Sequence, residues 1–148
     1  MNDVLKLFAE LNPKKQIQVY RTAHRRAANI LVREARKQLR LVLGNKVNSR
    51  NKWNGKTLQS GIKARTNRAG TETKIHIMGD FRLKFFEMGT GYRKHKKTGK
   101  PTGRIKRTNF FTKAMKITED IIFNQIDNTI EESIIRIASK TRTKVIIR

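Results

Sequence analysis

Residues able to carry out chemistry are few in this sequence, and they do not converge. His24, His76 and His95 are scattered, and two of them lie among cations that disfavour the protonated ring. Glu87 is the only acid near its part of the chain, flanked by Arg82, Lys84 and Arg93, so it is expected to form a structural ion pair rather than act as a general base. No two carboxylates are placed where a metal site or an acid–base couple would need them. The absence of cysteine excludes disulfides, thiolate chemistry and metal sites of the Cys type. Gly55-Lys56-Thr57 matches the end of a phosphate-binding loop, but Arg50 stands where that motif requires its first glycine, and no strand precedes it. Nucleotide binding is rejected. No catalytic, cofactor-binding or metal-ligating residue is expected, and the chain reads as a non-enzyme.

What the sequence has instead is positive charge. Its 148 residues carry a formal net charge of +24, which costs a compact state self-repulsion unless a polyanion or a partner surface neutralises it. Residues 12–108 hold Lys and Arg at 27 positions against Glu34, Glu72, Asp80 and Glu87. Residues 109–140 are slightly acidic, which implies one basic and one near-neutral face. The densest run follows Gly89-Thr90-Gly91: Arg93, Lys94, Lys96, Lys97, Lys100, Arg104, Lys106 and Arg107, with no acid among them. These eight are the candidate contacts to DNA or to an acidic partner. Tyr92 is the only aromatic residue there, so readout of single strands by stacking is poorly supported. No apolar run approaches the ~18 residues of a membrane span, and the N-terminus lacks a basic segment followed by an apolar one. Synthesis in the cytosol is expected, with no membrane partner.

The elements that must position this loop can be read in order. Residues 2–11 predict a short amphipathic helix with Val4, Leu5, Phe8 and Leu11 on one side. Asn12-Pro13 opens a second helix that runs to about Leu43. Its stripe is Ile17, Tyr20, Ala23, Ala27, Leu31, Ala35, Gln38 and Val42, whose small residues allow close helix approach. Trp53, in the polar loop 44–57, is expected to be a buried anchor rather than a base-stacking platform. Leu58–Asn67 and Thr71–Met78 alternate around Arg68-Ala69-Gly70 as an antiparallel hairpin. Phe85–Met88 reads as an apolar turn, and residues 91–108 as a loop. Thr108 or Asn109 caps a helix over 109–140, with Phe110, Phe111, Ala114, Ile117, Ile121, Ile122, Ile126, Ile130, Ile134 and Ile137 as its buried stripe. Phe123 and Ile135 fall outside the stripe and hint at a subunit contact. Residues 143–147 (TKVII) read as a final strand. The expectation is a single α+β domain over 1–148, with long N-terminal (2–43) and C-terminal helices packed on a small antiparallel sheet within 58–90.

Phe85-Phe86-Glu87-Met88-Gly89-Thr90 resembles the aromatic-aliphatic-Glu-aromatic-Gly-Thr motif of the tailed-phage tail-completion, or head–tail joining, minor structural proteins. Phe110-Phe111-Thr112-Lys113-Ala114 is similar to the Phe-Leu-x-x-Ala segment that opens the C-terminal helix in that family. Residues 55–62 resemble its Thr-Gly-x-Leu-x-x-Ser-Ile segment more loosely, with the glycine displaced and Gly61 interrupting Ser-Ile. The resemblance spans about residues 15–138. It implies an α+β virion protein without enzymatic activity that forms a ring at the phage neck, joining the portal-adaptor side to the tail. Phe86, Glu87, Gly89, Thr90, Phe110, Phe111 and Ala114 are then structural motif residues: Gly89 allows a tight turn, Thr90 bonds backbone, and Glu87 pairs with a cation or caps a backbone N–H. The implied partners are other copies of the chain, portal-adaptor, neck and tail proteins, and packaged DNA. The implied location is the virion, after assembly in the host cytoplasm. The eight-cation loop departs from the family pattern and is expected to face DNA in a channel or the acidic rim of a neighbouring ring. The competing reading is a stand-alone nucleic-acid-binding protein of ribosomal type. An anionic-membrane binder fits less well, because the basic helix carries alanines rather than large apolar anchors.

Overall fold

A computed structural model describes the backbone of residues 2–146 and the side chains of Asp3 and residues 6–140. The expectations for Val4, Leu5 and Ile147 therefore lie outside the described side chains. The fold is α+β. Helix α1 (Asn2–Ala9) precedes the long helix α2 (Pro13–Leu43), which continues into a short 3-10 turn, Gly44–Asn48. A second 3-10 turn, Leu58–Gly61, leads into strand β1 (Lys63–Thr66), which pairs with β2 (Thr73–His76). Helix α3 (Arg82–Met88) and a second two-stranded ribbon, β3 (Arg93–Lys94) with β4 (Pro101–Gly103), precede the long helix α4 (Phe110–Ile146).

Four expectations are corrected by this element order. Leu58–Gly61, expected to open the first segment of the hairpin, is a 3-10 turn, and the strand begins only at Lys63. Phe85–Met88 lies in α3, not in a turn. The stretch 91–108 is not wholly a loop, since β3 and β4 pair within it. Residues 143–146 continue α4 rather than forming a strand. No glycine or proline stops the helix after Phe110, and extending an existing helix costs β-branched residues only a few tenths of a kcal/mol each.

Contacts group the residues into two compact units. One comprises residues 1–30, 65–74 and 120–148. Here the Phe8 and Tyr20 rings meet edge-on at 5.1 Å, and Asn12 Oδ1 accepts the Lys14 N–H as the cap of α2. The tip of the hairpin turns at Gly70 (φ 77°), whose Cα lies so close to Arg21 and the Ile17 carbonyl that a Cβ would clash. Val19, Ala23, Ala27, Ala28, Thr129 and Ile134 are buried.

The other unit comprises residues 31–64 and 75–119, and its core is formed by Leu39, Val47, Leu58, Ile62, Leu83, Phe110 and Ala114. The Gly61 and Gly79 backbones touch: Gly79 N donates to Gly61 O at 3.1 Å. A Cβ on Gly61 would come within 2.7 Å of Asp80. The interruption of Ser-Ile by Gly61 thus has a packing cause. Asp80, nearly fully buried, is clamped by Arg82 at 2.7 Å.

The buried rows on the long helices differ from the expected stripes. On α2 the row is Val19, Ala23, Ala27, Leu31, Ala35 and Leu39, whereas Ile17 and Val42 are exposed. Strict four-residue steps make this an i±4 ridge, the kind that packs into a facing groove. On α4 the row begins Phe110, Ala114, Thr118, leaving Ile117 (53%) and Ile121 (51%) exposed. Threonine is tolerated there because Thr118 Oγ1 donates to the Ala114 carbonyl at 2.8 Å. Phe123 and Ile135 are exposed.

Candidate functional site

The cationic run is an antiparallel ribbon. Arg93 pairs with Gly103 and Lys94 with Pro101, with an irregularity between them. His95 N donates to Lys100 O and Gly99 N to His95 O, each at 2.8 Å, with Gly99 at φ 65°. This closes the turn over Lys96 and Lys97. A positive φ is least strained at glycine, which is why Lys96-Lys97-Thr98-Gly99 turns where it does.

All eight expected contact residues are exposed, on the ribbon or on the segment after it. None of them forms an ion pair among the described residues. Two are oriented by neighbours. The Arg104 guanidinium lies 5.0 Å from the Tyr92 ring centroid, a cation–π pair. Arg107 Nε donates to Asn109 Oδ1 at 2.6 Å. The ribbon therefore presents like charges, held in place by backbone, with nothing of its own to neutralise them. Its chemistry is attraction of an anion.

The base of the ribbon is fastened by residues 86–90. Thr90 N donates to Ile105 O, and Ile105 N donates to Thr90 Oγ1, both at 2.9 Å. Gly89, at φ 74°, lies where a Cβ would be 2.9 Å from Arg107 N. Thr108 donates through both N and Oγ1 to Phe86 O, at 3.0 and 2.8 Å. Glu87 completes the clasp. Its Oε2 accepts the Phe111 N–H at 2.8 Å, and its Oε1 accepts the Thr112 N–H at 3.1 Å and hydroxyl at 2.6 Å.

Glu87 is thus the cap of α4, and the expected ion pair with a flanking cation is not made. A carboxylate is well suited there, because the first turn of a helix offers unpaired N–H groups and the positive end of the helix dipole. Neither Thr108 nor Asn109 caps with its side chain, since both are engaged elsewhere. Asn109 takes the left-handed conformation at φ 52°, its carbonyl accepting the Lys113 N–H at 2.9 Å. Phe110 and Ala114 are fully buried and Phe111 partly so. The motif residues are therefore brought together, whereas His24, His76 and His95 form no cluster with acids: no metal-holding group occurs among the described residues. No helix among them is long and apolar enough to cross a membrane.

Two features escaped the sequence reading. Phe81, Phe85 and Met88, at i, i+4 and i+7, form an exposed apolar side of α3, with the Phe81 and Phe85 rings edge-on at 6.0 Å. The i, i+4, i+7 spacing was the available signal. Trp53 is exposed rather than buried, because the turn that carries it is braced by Asn51 instead of by the indole. Nothing in the sequence marked that exchange. Comparison of the chain with protein-family models, curated proteins and solved structures returns no match.

Proposed function

We propose that the chain is a virion structural protein, a ring-forming subunit at the neck of a tailed phage, joining the portal-adaptor side to the tail. The observation that supports this reading is the clasp. The residues that carry the resemblance to head–tail joining proteins, Phe86 to Thr90, are those that bind the foot of the cationic ribbon to the start of α4. They do so through backbone groups, the Thr90 hydroxyl and one carboxylate, an arrangement suited to holding a surface rather than turning over a substrate. Repeated around a ring, the exposed cations of many copies act together on a common polyanion. Each copy then needs only weak attraction. Packaged DNA or the acidic rim of a neighbouring ring is the partner of that surface. The apolar side of α3 is available to adjoining neck or tail proteins. On this reading the protein is not an enzyme and resides in the virion after assembly in the host cytoplasm. Electron microscopy of particles assembled without it tests the proposal: filled heads without joined tails, or heads that leak DNA, are expected. Normal joined particles contradict it.

The exposed Tyr92–Arg104 pair favours a second reading, a stand-alone nucleic-acid-binding protein of ribosomal type. Such a protein binds free duplex or RNA tightly as a monomer at ~0.1 M salt and loses affinity steeply as salt rises. Weak binding by the purified monomer favours the ring.

A further inference from the structure

Trp53 is 91% exposed, the most exposed of the large apolar side chains among the described residues, yet its turn is firmly built. Asn51 N donates to Lys56 O and Gly55 N to Asn51 O, each at 2.8 Å. Trp53 N donates to Asn51 Oδ1 at 2.9 Å. Asn51 is itself buried, and Arg82, paired with Asp80, reaches both Ser49 Oγ and Ser49 O beside the turn. The turn is thus tied to the buried Asp80–Arg82 pair, and it holds a large apolar ring in water. Such a ring is a strong anchor once a partner covers it.

The charges around it indicate which partner. Lys52 and Lys56 flank the indole, both exposed. On α4, Asp120, Phe123 and Asp127 stand at i, i+3 and i+7, one face of the helix, and all three are exposed, Phe123 at 62%. Among the described residues, none of these four charged side chains forms an ion pair. Base–aromatic–base therefore has its complement in acid–aromatic–acid on the same sequence, and the chain has only 11 acidic residues from which to build it.

We infer that the Trp53 turn of one copy docks on the Phe123 face of α4 in the next. Indole and phenyl are buried against each other, with Lys52 and Lys56 opposite Asp120 and Asp127. Each copy carries both halves of the contact, and head-to-tail repetition, which the ring reading requires, closes a ring or extends a filament. The inference rests on the ring reading and locates its contact.

Trp53 is the sole tryptophan, so its emission reports on this one side chain. Association of the full chain at physiological salt, followed by sedimentation, should shift the emission to the blue and protect it from acrylamide. Trp53→Ala and Phe123→Ala should each weaken association about 30-fold or more. Both positions are exposed, so folding, checked by circular dichroism, should be unchanged. Lys52→Glu with Lys56→Glu, and Asp120→Lys with Asp127→Lys, should each prevent association alone and restore it when the two variants are mixed. An oligomer whose Trp53 stays open to acrylamide overturns this contact and leaves the ring reading standing. No association from micromolar to millimolar protein, alone or mixed, overturns both. Quenching by a single-stranded oligonucleotide where the chain does not associate would make Trp53 a stacking platform and overturn the copy contact.

Discussion

Glu87 Oε2 accepts the backbone N–H of Phe111 at 2.8 Å, tying the end of α3 to the first turn of α4 across the whole cationic ribbon. The ribbon leaves and returns through a neck whose two sides are held by this carboxylate and by the two Thr90–Ile105 hydrogen bonds, one to backbone and one to the Thr90 hydroxyl.

Replacing Glu87 should therefore act as the loss of a helix cap. Glu87→Ala is expected to cost about 1–2 kcal/mol in urea unfolding. Glu87→Gln keeps an acceptor but gives up the charge that suits the helix dipole, and should cost less. Equal stability of all three proteins would show that the carboxylate does not hold α4.

Two nearby glycines should separate sharply. Gly89 has φ 74° and no room for a Cβ, whereas Gly91 has open space around it. Gly89→Ala should destabilise by about 1–3 kcal/mol, and Gly91→Ala by no more than about 0.5 kcal/mol. Thermal denaturation of the pair measures both.

The Asp80–Arg82 pair predicts a pH dependence. The Arg82 guanidinium, followed by a backbone N–H and the Asn51 side chain, holds the Asp80 carboxyl below the usual carboxylate range, against the opposing effect of burial. A depressed folded-state pKa contributes stability that is complete above the unfolded value of about 3.9 and is lost as pH falls through the lower folded value. Asp80→Asn should cost about 2 kcal/mol at neutral pH. That difference should narrow as the solution is acidified below the unfolded pKa. A difference independent of pH would mean that the pair contributes nothing through ionisation.

Legibility in the sequence followed the range of the interactions. The α+β class and both long helices could be read, because capping at Asn12 and three- and four-residue periodicity are local. The same locality misplaced the C-terminus: Val145 and Ile146 favour a strand by type, but the helix already running through Lys140 extends over them. Ile117 and Ile121 were misread because Thr118, polar by type, takes the buried position and satisfies its hydroxyl on its own helix. At the site, the cations and motif residues were legible as types. The Glu87–Phe111 bond was not, since it joins residues 24 apart. Trp53 defeated the rule that a lone tryptophan is buried, because buried Asn51 braces its turn.

The ribbon cations should be dispensable for folding and needed for anion binding. Replacing Lys94, Lys96, Lys97 and Lys100 with Gln should leave stability within about 0.5 kcal/mol, since all four are exposed and unpaired. Binding to duplex DNA should weaken, and the slope of log affinity on log salt should become shallower by about 0.9 for each phosphate that is no longer neutralised. An unchanged slope would place the anion elsewhere.

Quantitative mass spectrometry of tailed particles purified from cells that produce this chain tests the neck-ring proposal most directly. The account predicts the chain in every tailed particle at a small, fixed copy number that matches a closed ring. Its absence from particles, with the protein remaining a monomer in the cell, would contradict the account.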